Sequence, residues 1–188
     1  MVPEPNRIFI DFEFTGLHQG TTPVSLGVAR DDGRCFYAEF VDYDVSQVDG
    51  WLRENIFSSL SIPSGETYRW KCGDLWVSGC QYRVRDELEE WLGDRRGIEV
   101  WADCPAYDWV LFCELWGGAL NIPDRFYYIP FDLATLFKAK GYDPDVSREE
   151  FSGLHGQRHH ALCDAIMIKS CWDRLQRLER GQCLSSKL

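Results

Sequence analysis

Residues 7–14 read RIFIDFEF, and they decide the fold. The run is dominated by isoleucine and phenylalanine, which marks a β-strand. Successive side chains on a strand point to opposite faces. Ile10, Phe12 and Phe14 therefore share one face, and Phe9, Asp11 and Glu13 share the other. Two carboxylates thus project side by side from a strand that otherwise has the character of a buried central one. Burying unpaired carboxylates is costly, and neighbouring like charges add to the cost unless a cation sits between them. The plain alternative is an edge strand with a solvated face.

Residues 23–30 (PVSLGVAR) and 35–41 (CFYAEFV) continue in the same style, with a hairpin signal at Asp31-Asp32-Gly33. The fold therefore opens as a three-stranded antiparallel meander. Val48, Trp51, Leu52, Ile56 and Leu60 give helical spacing over 45–60. Residues 61–79 mix Ser, Pro and Gly with aromatics and read as a surface insertion. A helix over 82–92 stops at Gly93, and 98–102 (IEVWA) is a fourth strand. Pro105 and Gly117-Gly118 frame a third helix. Residues 126–131 (FYYIPF) form a fifth strand, Asp132 caps a short helix, and the last helix covers 160–180. The expectation is an α/β fold: a mixed five-stranded sheet, three antiparallel strands first and then alternating helices and strands, flanked by helices. One domain spans 1–180, and 181–188 is a loose tail.

Over 188 residues the formal net charge is −10, which excludes a protein that coats nucleic acid through a broad basic face. It leaves room for a nuclease, since carboxylate-held cations can meet phosphate. The eight cysteines contain no CxxC pair, so they read as reduced, mostly buried thiols of a cytoplasmic protein rather than zinc ligands. MVPEPNR lacks the pattern of a secretory signal, and no apolar run approaches the roughly 18 residues of a membrane span. Ser186-Lys187-Leu188 matches a peroxisomal address, a weak pattern at three residues.

Two further carboxylates lie on apolar helix faces. Asp108 shares its face with Leu111, Phe112 and Leu115, and Asp164 sits in the stripe of Ala161, Ala165, Ile168 and Trp172. His159 and His160 stand just upstream of Asp164. Singly, each has a bland explanation: an acidic residue favouring a helix N-terminus, or a histidine in a local ion pair. Jointly, four inward carboxylates from three elements and a titratable base make the inventory for two hard divalent cations, Mg²⁺ or Mn²⁺.

FIDFEFTGL, AYDWVLF and HHALCDA resemble, in order, the three motifs of the DEDDh 3′→5′ exonucleases, with His159 and Asp164 forming the His-x(4)-Asp pair. GWLRENIFSSL and VWADCPAYDWVLFCELWG are similar to the polyadenylate-specific exoribonuclease AS branch. The resemblance implies a ribonuclease H-like fold and release of nucleoside 5′-monophosphates from single-stranded RNA 3′ ends. It implies two metal ions held by Asp11, Glu13, Asp108 and Asp164, with Asp11 shared between them, and His159 as general base. It also implies that Phe14, Thr15 and Leu17 hold the terminal nucleotide, through backbone contacts to the 3′-OH and apolar contact with the base, in a homodimer. The rivals are a DNA-directed exonuclease with the same site and a non-catalytic binding module; all five catalytic positions being filled weighs against the latter. Two departures stand out. Asp103 replaces an Asn often found in the second motif, adding negative charge. The segment 67–85 is long, with Arg69, Lys71, Arg83 and Arg85 among Tyr68, Trp70, Trp76 and Tyr82. It is either a surface that stacks and steers a single strand or a solvated loop with a few core anchors.

Overall fold

A computed structural model describes residues 6–70 and 72–185, with side chains through residue 178. β1 (Asn6–Phe14), β2 (Pro23–Arg30) and β3 (Cys35–Phe40) form the expected antiparallel meander. Every residue of β2 is buried, which fits a strand covered on both faces. The helix expected over 45–60 is broken. Asp44 caps a single 3₁₀ turn at Val45–Gln47, and Asp49 then caps α1 (Gly50–Asn55) by accepting the Leu52 N–H at 2.8 Å. Two capping aspartates so close together restart the chain instead of extending one helix.

The stretch expected to be a surface insertion carries β4 (Thr67–Arg69) and β5 (Leu75–Gly79). β5 lies parallel to β3 and buries Leu75 and Val77 in the main core, and β4 folds back antiparallel on it. α2 (Gln81–Leu92), β6 (Ile98–Ala102) and α3 (Ala106–Glu114) follow, with β6 parallel to β1. The expected fifth strand over 126–131 shrinks to a bridge between Phe126 and Ile98 and the two-residue β7 (Phe131–Asp132). Tyr127 and Tyr128 there are exposed, so their β-propensity finds no surface to pack on. α4 (Leu133–Ala139) starts at Asp132 as expected; α5 (Arg148–Ser152) is new; and α6 (Ala161–Ser185) runs past the start of the expected tail. Ser186-Lys187-Leu188 lies outside the described residues.

The sheet therefore has seven strands rather than five, in the order β4-β5-β3-β2-β1-β6-β7. α2 and α3 pack on one face over Ile8, Ile10, Phe12, Leu26 and Phe36. α4 and α6 pack on the other over Phe9, Ala29 and Tyr37. Each such Ile, Leu or Phe side chain stabilises the fold by about 1.5–3 kcal/mol. The seven cysteines with described side chains are free thiols, but Cys72, Cys80 and Cys104 are exposed, which corrects the expectation of mostly buried ones. No helix among the described residues is long and apolar enough to cross a membrane.

Candidate active site

β1 outruns its parallel neighbour. The β1–β6 ladder ends at the Phe9–Trp101 pair, so the last five of the nine residues of β1 lie beyond it on that side. α3 fills the gap: Asp108 Oδ1 accepts the Phe12 N–H at 2.9 Å. On its other side β1 pairs with β2, placing Asp11 opposite Gly27. A Cβ on Gly27 would lie 2.2 Å from the Ala161 carbonyl oxygen and 2.4 Å from the Leu162 nitrogen. Only glycine there lets the start of α6 press against the sheet and bring Asp164 over β1. The register shifts immediately after Glu13, a bulge that turns the chain at the end of the strand.

The result joins three expected residues. Ligand oxygens of Asp11, Glu13 and Asp164 all lie within 4.8 Å of one another. Burial, and then the charges of Asp108, Glu13 and Asp164, hold the Asp11 carboxyl well above the usual carboxylate range. Burial, followed by Asp164 and Asp108, pushes Glu13 up to about 8. The neighbouring charges that act most strongly on these two all raise them. Burial raises Asp164 to about 6, against partial relief from the charge of His159 and the backbone N–H of His160. Asp108 stands slightly apart, its carboxyl raised to about 6 by burial while the Phe12 N–H pulls it down. A hard-oxygen set crowded against its own repulsion fits divalent cations of the Mg²⁺ or Mn²⁺ type.

The two histidines part company. His159 adopts a left-handed backbone, φ 57°, unusual for a residue with a Cβ. The turn leaves its ring exposed and edge-on to Trp51 at 5.3 Å. His160 turns inward and stacks on Tyr37 at 4.7 Å. His159, Glu13, Phe14, Leu17 and Trp51 line one cavity of ≈ 330 Å³, with Asp49, Leu52 and Ile56 behind them. Leu17 is 78% exposed at its rim, and Phe14 stacks on Tyr107 at 5.3 Å.

Thr15 also borders this cavity but is already occupied. It is buried, its N–H donates to the Thr22 carbonyl at 3.0 Å, and its hydroxyl accepts the Thr22 N–H at 2.9 Å and donates to Gln47 Oε1. These bonds close the loop over 15–22, so the Thr15 N–H is not free to meet a 3′-OH.

Asp103 brings its expected negative charge to the cluster, where it raises the Asp11 and Asp108 carboxyls. Arg148 grips both its oxygens at 2.7 and 2.9 Å. Trp51, Gly27 and Arg148 were missed at the sequence level. Trp51 showed only as one apolar position in a helical stripe, and Gly27 and Arg148 act through partners distant in sequence.

The sequence matches the family model of the Rv2179c-like 3′-5′ exoribonuclease domain over residues 6–176. It is 31% identical over 137 residues to the 3′-5′ exoribonuclease Rv2179c of Mycobacterium tuberculosis strain H37Rv, covering 72% of this chain and 76% of that one. The 3′-5′ exoribonuclease MT2234.1 of strain CDC 1551 matches to the same extent.

Proposed function

Since the chain belongs to the Rv2179c-like 3′-5′ exoribonuclease domain family, we propose that it trims single-stranded RNA from the 3′ end, one nucleoside 5′-monophosphate at a time, on a ribonuclease H-like fold. It is a 3′→5′ exonuclease, a phosphodiester hydrolase. One observation carries the finer reading: Glu13, which clusters with Asp11 and Asp164, also lines a cavity that holds His159.

Asp11, Glu13 and Asp164, with Asp108 beside them, would hold two Mg²⁺ or Mn²⁺ ions. Asp11 feels the charges of all three other carboxylates, which supports it as the shared ligand. When bound, the cations supply Lewis acidity to the scissile phosphate and stabilise the charge that develops on it. His159 takes the proton of the attacking water, since its ring is exposed in the cavity beside Glu13. Phe14, Leu17 and Trp51 enclose the terminal base by apolar contact. Thr15 shapes the loop that carries Leu17, a supporting role in place of direct contact.

A pocket for one terminal nucleotide needs few phosphate contacts, so it is compatible with a net charge of −10. The free thiols support a reducing compartment, and with it the cytoplasm. The test is digestion of 5′-labelled RNA and DNA oligomers, single- and double-stranded, with Mg²⁺ or Mn²⁺ and with chelator. A ladder shortening from the 3′ end of single-stranded RNA, with nucleoside 5′-monophosphate as product and only with metal, is expected. Internal cuts, or equal activity in chelator, would overturn the reading.

A further inference from the structure

The row of residues that contains Asp11 runs on to the far edge of the sheet. Asp11 lies opposite Gly27, Gly27 opposite Tyr37, Tyr37 opposite Trp76, and Trp76 opposite Tyr68. Residues directly opposite on neighbouring strands share a face. All five positions therefore belong to the face that α6 covers, and four strand spacings separate Asp11 from Tyr68 by about 19 Å. α6 closes over the near half, with Ala161 against Gly27 and Leu162 clustered with Tyr37.

Past α6 the row is aromatic and open. Trp76 meets Tyr37 at 5.4 Å and Trp70 at 5.1 Å, and Trp70 meets Tyr68 at 6.1 Å. Tyr68 and Trp70 remain 41% and 43% exposed. Arg69, between them in sequence, alternates to the other side, where it pairs with Glu87 and Glu90 of α2. Arg83 is likewise held there, on the Thr67 hydroxyl at 2.8 Å. Three of the rings and two of the cations that interleave in the sequence are thus sorted in space. Tyr68, Trp70 and Trp76 face the active-site side, and Arg69 and Arg83 are engaged on the other.

We propose that Tyr68 and Trp70, backed by Trp76, form a second, remote subsite that stacks bases of the same single-stranded RNA upstream of its 3′ end. This rests on the exoribonuclease reading and extends it. An acidic protein that grips only one terminal nucleotide needs a further hold on a long strand that does not depend on positive charge. Base stacking supplies one, indifferent to sequence, worth about 1–3 kcal/mol per base. The platform shares a face with the catalytic carboxylates, within reach of a strand a few nucleotides long.

The experiment compares wild type, Tyr68→Ala/Trp70→Ala and the gentler Tyr68→Leu/Trp70→Leu on RNA of about two and about twelve nucleotides, lengths below and within single-strand site sizes. Binding is read in chelator, and turnover with metal. Both double variants are expected to weaken the long RNA by about 10-fold or more, the scale of one lost base stack, and to leave the dinucleotide unchanged. Melting curves confirm that the variants compared are folded. Loss of equal size at both lengths, or at neither, overturns the proposal. So does a variant that changes from dimer to monomer on a sizing column with its length dependence intact, which would make the platform a contact between copies of this chain. A wild type that hydrolyses no RNA would sink the exoribonuclease reading alone, because binding in chelator still tests the platform.

Discussion

Two acidic clusters lie close together in this molecule, and they differ in what surrounds them. Asp11, Glu13 and Asp164 crowd within 4.8 Å with only repulsion acting on the first two. Asp103 and Asp132 come equally close, with Cys104 between them, yet their oxygens are in use. Arg148 holds both oxygens of Asp103. Asp132 accepts the N–H groups of Cys104, Ala134 and Thr135, each at 3.1 Å, along with the Thr135 hydroxyl. One cluster is hardware for starting α4 and seating α5; in the other only Asp164 gains relief, from His159 and the His160 N–H, and Asp11 and Glu13 await cations from solution. Proximity of carboxylates does not make a site. An unmet demand for positive charge does.

The sharpest way to break this contrast is to remove one carboxylate from the starved cluster. Asp11→Ala or Asp164→Ala should abolish RNA hydrolysis while the metal-free melting temperature holds or rises, because repulsion is relieved. Residual wild-type turnover, or a large fall in melting temperature, would contradict the assignment.

The histidines come next. His159→Ala should lower turnover by about 10²–10⁴, the usual size of a general-base contribution. His160→Ala should keep turnover within several-fold but lower the melting temperature, since its ring packs on Tyr37. The reverse pattern would shift the motif by one residue.

In the satisfied cluster the same kind of subtraction should act with opposite sign. Arg148→Ala strands Asp103 and should destabilise the fold by about 1–3 kcal/mol, read by denaturant titration. No change there would mean that the Asp103 pair is ornamental.

The smallest expected effect is a pH slope. Folding raises the carboxyls of Asp108 and Asp164 to about 6 and Glu13 to about 8, from unfolded values of about 4. The folded state therefore binds protons more tightly than the unfolded chain. That contribution is fully present below about pH 4 and is lost as pH rises through 6 and 8. Metal-free melting temperature should decline by a few degrees from pH 5 to 8, and millimolar Mg²⁺ should restore more at pH 8 than at pH 5. A flat profile would mean that the cluster is already compensated.

Much of the starved cluster was legible in sequence because strand alternation alone aims Asp11 and Glu13 to one side, and helical spacing places Asp108 and Asp164 inward. What stayed hidden depends on partners far along the chain. β5 is five residues in a Ser- and Gly-rich stretch, and it becomes a strand only because β3 lies beside it. FYYIPF has strong β character but pairs only at its ends, Phe126 with Ile98 and Phe131 with Trp101. Trp51 belongs to the cavity because α1 is short and capped at Asp49, which no periodicity announces. Arg148, forty-five residues later, takes both oxygens of Asp103, a pairing that no local pattern announces.

Gly27 has a consequence for anyone surveying this chain by saturation mutagenesis. It sits mid-strand, where propensity scales would ask for valine, and has no side chain to offer chemistry. Its partner across the strand is Asp11, and its missing methyl is the space that the start of α6 occupies. Any replacement becomes a wedge between the two elements that present Asp11 and Asp164. A survey scored on turnover would therefore flag position 27 beside the carboxylates themselves. A chemist working from that score alone would look for a reacting group and find a hydrogen atom.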